Sequence, residues 1–208
     1  MRVIVGLAGN IENGGRYVDK VFSEIALTEG SVQGCEFEEC KFVNCNLSGC
    51  SFIECKFTDC DFKCCNLNLI KLNRTKCFET HFLECKITGV NWTLLDWKSY
   101  VLNSPISFET CDLSLCIFNS LDLREMCMHS CKAHDADFSE CDLTGSDFYK
   151  TDFKESDFSR SKLNRCNFSE SINYRIDPIE CSVEGARFSS PGVLTLLHPF
   201  NIKVDHDE

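Results

Sequence analysis

No run of consecutive apolar residues in this 208-residue chain approaches the ~18 that a membrane-crossing helix needs, so no membrane span is expected. No basic stretch followed by an apolar one opens the sequence; a secretory leader is not expected, and the cytoplasm is the expected location. Cations are in deficit: 21 Lys and Arg face 32 Asp and Glu, a formal net charge of −11. Phosphate contacts need Lys and Arg, so nucleic acid is not expected as a direct partner, whereas a basic protein surface is. Catalytic signatures are missing as well. His81, His129, His134, His198 and His206 stand in no nucleophile or metal motif, and the acidic residues wind through the chain instead of gathering. No enzyme activity and no cofactor are expected. Gly6 and Gly9 after Val3-Ile4-Val5 faintly suggest a nucleotide loop, but no third glycine or Gly-Lys-Ser/Thr follows in register.

Cysteine, by contrast, is abundant. Seventeen is an odd number for a disulfide framework, and the chain is long for a stapled mini-protein. Fourteen of them, at 35, 40, 45, 50, 55, 60, 65, 85, 111, 116, 131, 141, 166 and 181, stand at the first position of a five-residue block. Zinc sites use short cysteine spacings in paired clusters, which an even spacing of five is not. Free cysteine behaves as a small buried hydrophobe. These thiols are therefore read as reduced core residues, with no metal.

The five-residue period governs most of the chain. Residues 35–64 read CEFEE CKFVN CNLSG CSFIE CKFTD CDFKC: a small residue, a polar one, Phe or Leu, then two mostly polar positions. With the Phe/Leu position as the centre, centres recur every five residues from Phe22 to Leu102, slip by one residue, and resume from Phe108 to Phe188. Each run holds 17 centres, and Cys77, Ala133, Asn173 and Pro178 are the ones that are not large and apolar. A helix would scatter such centres around its circumference, and a single long strand repeats every two residues. Within a block, the small residue and the centre lie two apart and share one side of an extended segment. A short extended side and a turn, repeated, wind a coil with an apolar interior, and stacked coils pair their backbones at ~4.8 Å. Trp92 and Trp97 are large for so narrow a core. With the extra residue and Pro105 in segment 103–107, they mark a place where the coil widens or bends.

These blocks resemble the pentapeptide-repeat family, whose motif is A-(D/N)-L-x-x; ADFSE, CDLTG, SDFYK, TDFKE and SDFSR at 136–160 match it closely. The resemblance covers roughly residues 20–190 and implies an all-β, right-handed quadrilateral β-helix, four blocks to a square coil. Thirty-four blocks would make roughly 8.5 coils and a rod of about 40 Å. The expected organisation is an N-terminal cap at 1–16, a solenoid at 17–190 with a one-residue phase slip at 103–107, and a C-terminal capping or dimerisation helix and tail at 191–208. Ser190 can cap that helix with Pro191 at its first position. Val193, Leu196, Leu197 and Phe200 then share one apolar face, Pro199 ends the helix, and Phe200, Ile202 and Val204 alternate as in a short strand. That apolar face exceeds what covering the open end of a solenoid needs, which points to a second subunit.

This tail, with the preceding DPIECSVEGARFS (177–189), is similar to the ends of the quinolone-resistance (Qnr-type) members of the family. The similarity implies an end-to-end homodimer through the C-terminus. It also implies a rod that imitates duplex DNA to engage a type II topoisomerase, DNA gyrase or topoisomerase IV. Members of that group often carry loop insertions, whereas here only the one-residue slip interrupts the period. The charge map suits such a dimer: residues 1–30 and 31–102 carry net −1 each, 103–190 carry −7 and 191–208 carry −2. Two C-terminal regions meeting in the middle would place one negative charge per ~2.2 Å, against one per ~1.7 Å of duplex DNA. The candidate partner-binding residues are Asp137, Asp142, Asp147, Asp152 and Asp157, at outward second positions; the candidate dimerisation residues are Val193, Leu196, Leu197 and Phe200. The other reading is a structural or scaffolding solenoid that binds an unrelated protein, because fold does not fix function.

Overall fold

A computed structural model describes the backbone of residues 2–5 together with residues 11–97, 106–190 and 192–202. It is a right-handed quadrilateral β-solenoid of about eight turns with a short C-terminal 3-10 helix. Centres stack into four columns, one per face. Face 1 runs through Phe37, Phe57 and Cys77 and later Leu123, Leu143 and Leu163. Face 2 runs through Phe22, Phe42, Phe62, Phe82, Phe108, Met128, Phe148 and Phe168. Face 3 holds Leu47, Leu67, Ile87, Leu113, Ala133 and Phe153, and face 4 holds Phe52, Leu72, Trp92, Phe118, Phe138 and Phe158.

Each block turns at its fifth residue, which takes a left-handed φ, as at Glu39 (53°), Asn44 (54°) and Glu54 (53°). An L-residue there costs about 1 kcal/mol. The corner backbone recovers a hydrogen bond to the next coil: Glu39 N–H reaches Thr58 O at 2.9 Å and Glu54 N–H reaches Asn73 O at 2.9 Å. Inside, rings of one column stack, Phe42 on Phe62 at 4.5 Å and Phe118 on Phe138 at 4.8 Å. Rings of adjacent faces meet edge-on, Phe153 to Phe158 at 5.1 Å and 73°. Such pairs add about 0.5–1.5 kcal/mol each beyond their area burial.

First-position residues do more than fill space. Cys65 Sγ accepts the Cys45 N–H at 3.4 Å and lies 3.4 Å from Phe42 O as donor. Ser161 Oγ does the same work, accepting from Cys141 N at 3.1 Å and donating to Phe138 O at 2.6 Å. A short side chain with one donor and one acceptor thus closes a backbone gap inside the coil, which is why Cys, Ser and Thr alternate there.

All seventeen cysteines are free thiols; the fourteen first-position ones and Cys77 are buried, and Cys64 and Cys127 are exposed. Thiol labelling of the native protein is expected to stop at these two and to reach seventeen in denaturant. Labelling of first-position thiols at the rate of Cys64 would contradict the packing.

Four expectations need correction. The interruption near 103–107 is not a one-residue slip. Residues 98–105 lie outside the described residues, but Phe82 pairs with Phe108 and Asn91 with Ile117, steps of 26 residues where other coils take 20. Six residues beyond a coil's need therefore enter between Trp97 and Ile106. Trp92 is buried and stacked on Phe118 at 5.8 Å, and Trp97 is partly buried, its Nε1–H donating to Trp92 O at 2.8 Å. Second, residues 2–5 are no irregular cap: Arg2–Val5 pairs in parallel with Lys20–Ser23 and adds a rung to face 2. Gly6 and Gly9 lie outside the described residues.

Third, Asn173 and Pro178 are not inward centres. Asn173 takes a φ of 59° and is exposed, so the chain turns there, and Tyr174 and Ile176 are buried instead. Fourth, the C-terminal helix is 3-10 over Gly192–Phe200, with Pro199 inside it. At three residues per turn, Val193 and Leu196 share one line and Leu197 and Phe200 another, so there is no single α-helical face. Phe200 ends the helix and Ile202 is irregular, so no strand starts there; Pro191, Val204 and His206 lie outside the described residues.

Candidate partner-binding surface

Asp137, Asp142, Asp147, Asp152 and Asp157 stand at second positions of consecutive blocks, and four blocks make a coil. They therefore visit faces 4, 1, 2, 3 and 4 in turn. Only Asp137 and Asp157 are brought together, as bridge partners on face 4.

The other three are matched by cations or imidazoles of a neighbouring coil. Asp142 pairs with Lys162 at 3.1 Å, Asp147 lies 3.0 Å from His129 Nε2, and Asp152 lies 2.8 Å from His134 Nε2. Burial works against ionisation of Asp142, but hydrogen bonds from Thr144 and Lys162 hold its carboxyl below the usual 3.8. At Asp152 burial is likewise outweighed, by Asn173 and His134. Both carboxylates are thus held in their ionised form, Asp142 against the Lys162 ammonium and Asp152 by hydrogen bonds from Asn173 and His134.

Face 4 differs. Asp137 accepts from Ser139 N at 2.9 Å and Oγ at 2.6 Å, and Asp157 accepts from Ser159 N at 2.8 Å, bonds within their own blocks. Neither forms an ion pair among the described residues. Glu140 is engaged by Arg160 at 2.6 Å. Of the net −7 between residues 103 and 190, the face 4 blocks 116–120, 136–140 and 156–160 carry −2 and the turn that follows them at 176–180 carries another −2; each other face carries −1. Face 4 with the turn at its C-terminal end thus holds more of the formal acidity of this half than any other face.

The His–Asp pairs were not legible from the period alone. Each links a fourth-position histidine to the second-position aspartate 18 residues later, in the next coil. At the C-terminal end, Leu196 packs partly buried against the core, Leu197 is half-buried, and Val193 and Phe200 are exposed. A cleft of about 510 Å³ between helix and last coil is lined by Tyr174, Arg175, Asp177, Thr195 and His198, among others. Among the described residues no cluster of three or more His, Cys, Asp or Glu could hold a metal ion, and no helix is long and apolar enough to cross a membrane.

The model of the pentapeptide repeat region matches residues 35–104 and 101–171. The chain belongs to the pentapeptide-repeat family. Solved structures of the same fold include trypsin-treated QnrB1, described as a plasmid-mediated fluoroquinolone resistance protein. It is 16% identical, with a TM-score of 0.70 and 98% of this chain and 99% of that one covered. Full-length QnrB1 gives 0.62 at 16% identity, covering 97% and 98%. HetL, a pentapeptide-repeat protein involved in heterocyst differentiation regulation in the cyanobacterium Nostoc, gives 0.52 at 14% identity, covering 86% and 88%. At these identities the likeness is one of fold. No curated protein matches the chain in sequence.

Proposed function

We propose that this pentapeptide-repeat protein is a non-enzymatic, cytoplasmic rod that presents a DNA-like strip of negative charge to a basic groove of a type II topoisomerase, DNA gyrase or topoisomerase IV, and modulates that enzyme. The observation that carries this reading is the gathering of uncompensated charge on face 4, next to the C-terminal end. Averaged over these four levels, the strip carries one net charge per ~4.8 Å, against one per ~3.4 Å along a DNA strand. An end-to-end homodimer through Val193, Leu196, Leu197 and Phe200 would join two such strips. The described role of QnrB1 extends the proposal to fluoroquinolone resistance.

Two charge variants separate the strip from bulk acidity. Asp137→Lys with Asp157→Lys is expected to abolish the effect on gyrase supercoiling, with and without a fluoroquinolone. Asp142→Lys with Asp152→Lys, an equal charge change on faces 1 and 3, is expected to keep most of it. Leu197→Asp is expected to give monomers by light scattering and to weaken the effect at least tenfold. Equal activity of all these variants, or no effect of the wild type on either topoisomerase, would move the reading to a scaffold for another protein.

A further inference from the structure

Two leucines occupy corners where the backbone disfavours them. Among the described residues, Leu69 (φ 57°) and Leu115 (φ 62°) are the only large apolar residues at non-glycine corners with left-handed φ; the others are mostly Glu, Asp, Asn, Ser and Arg. Both are exposed, at 61% and 60%. Burial therefore offsets neither the backbone strain nor the contact with water.

They also belong to one corner. Leu69, Gly89 and Leu115 follow one another along the edge between faces 3 and 4, linked through Leu69 N–H to Thr88 O and Gly89 N–H to Ser114 O, both at 2.9 Å. Leu69 lies across Gly89: a Cβ there would meet Leu69 Cδ2 at 2.7 Å, so the glycine lets the leucine drape along the edge. Ile117, 40% exposed, sits beside Leu115 on face 4, with the buried Cys116 between them. One coil further on, the same two positions become Asp135 and Asp137; the next coil has Glu155 and Asp157. An apolar edge thus runs directly into the acidic strip.

We propose that Leu69, Leu115 and Ile117 with the carboxylates below them form one composite docking surface for an amphipathic basic helix of a partner protein. The spacing suits a helix laid along the rod. Leu69 and Leu115 are two coils apart, ~9.6 Å, close to the ~10.5 Å between helix residues i and i+7. Three levels of this edge, Leu69, Gly89 and Leu115, the first two flanked on face 4 by Lys71 and Asn91, precede two acidic ones; together they span ~20 Å, roughly 13 helical residues, apolar at one end and Lys/Arg-rich at the other. Charge selects this occupant over a second copy, since another chain of net −11 would bring its own acidic strip to the same place. The inference goes beyond DNA mimicry, because duplex DNA offers such an enzyme charge and no apolar anchor. It holds whichever protein supplies the helix.

The test uses two synthetic helical peptides of equal charge, each Lys-rich in its C-terminal half. One carries Leu at i, i+3, i+4 and i+7 in its first half; the other carries Ser there. Fluorescence anisotropy is expected to show the Leu peptide binding at least tenfold tighter, with the gap persisting at high salt. Leu69→Asn, Leu115→Asn and Ile117→Asn together should erase that gap. Asn suits both left-handed corners and second positions, so this variant should melt no lower than wild type. Asp137→Asn with Asp157→Asn should weaken both peptides and flatten their salt dependence. An unchanged Leu-peptide preference in the triple Asn variant overturns the proposal. So does a triple Asn variant that differs from wild type only in self-association, which would make the edge a contact between copies.

Discussion

Raising the pH to about 10 is expected to unfold the rod at room temperature in the presence of reductant, well before most lysines lose their charge. The cause is the thiol core. Burial pushes Cys50, Cys77, Cys116, Cys141 and Cys166 from 9.0 up to about 12 and Cys55 to about 11; hydrogen bonding within the stacked column of thiols, with burial behind it, pushes Cys65, Cys85 and Cys111 to about 12. For an acid whose pKa is raised on folding, the folded state is favoured fully below the unfolded value and progressively less as pH climbs toward the folded one. Each such thiol costs about 1.4 kcal/mol at one pH unit above its unfolded value. Several together reach a large part of the 5–15 kcal/mol of a typical domain's whole stability, while Cys40, held down to about 7 by the hydrogen bond from Cys60, works the other way. Circular dichroism should therefore collapse in one step, with most of the thiolate absorbance, beyond that of Cys40 and the exposed Cys64 and Cys127, appearing in the same step. Cys65→Ser, Cys85→Ser and Cys111→Ser together should move the alkaline midpoint upward, because three of the titrating groups are gone and a serine hydroxyl can close the same backbone gap, as Ser161 does. Absorbance of many more than three thiolates rising gradually from pH 9 while the circular dichroism stays native would show that these sulfurs are not buried as described.

The period made inside and outside legible residue by residue. Phe148 and Phe158 lie in the core and Asp147 and Asp157 outside, because phase within a block decides which side of the extended segment a side chain takes. It could not say which outward residues are neighbours. That depends on a second period of 20, the coil, and only pairs at that spacing, such as Asp137 and Asp157, share a face. Counting by fives also hid the long coil: 26 leaves the same remainder as one, so six added residues read as a one-residue slip. Where the repeat decays, local preference takes over. Asn173 adopts a left-handed conformation and re-aims Tyr174 inward, and the Gly192–Phe200 segment winds as a 3-10 helix. The spacing of Val193, Leu196, Leu197 and Phe200 does not separate a 3-10 helix from an α-helix over so few turns.

Phe148→Asp is expected to melt the C-terminal half of the rod while Asp147→Ala leaves it standing, although the two positions are adjacent. Phe148 is fully buried on face 2, 5.1 Å from the Phe168 ring and 5.4 Å from Phe153. Removing the ring costs about 3–5 kcal/mol, and a carboxylate in its place adds several more because no cation inside the coil can pair with it. Asp147 is half-buried and accepts from Tyr149 N at 3.2 Å and Asn167 Nδ2 at 2.9 Å. Its loss costs about 1 kcal/mol, the scale of an ordinary hydrogen bond. In a solenoid each coil rests only on its neighbours, so the damage should be confined. Hydrogen exchange in Phe148→Asp should open the coils around residues 126–170 and leave those before residue 97 protected. Because Asp137 and Asp157 are carried by those same coils, the face 4 strip should lose its order, and under the proposed topoisomerase role the variant should lose its effect on supercoiling, as is expected of Asp137→Lys with Asp157→Lys. Asp147→Ala should retain the wild-type effect, since its carboxylate belongs to face 2. If Asp147→Ala melted lower than Phe148→Asp, the inside and outside of every block would have to be exchanged. If Phe148→Asp exposed all coils equally, the rod would unfold as one unit and the independence of its two halves would be lost.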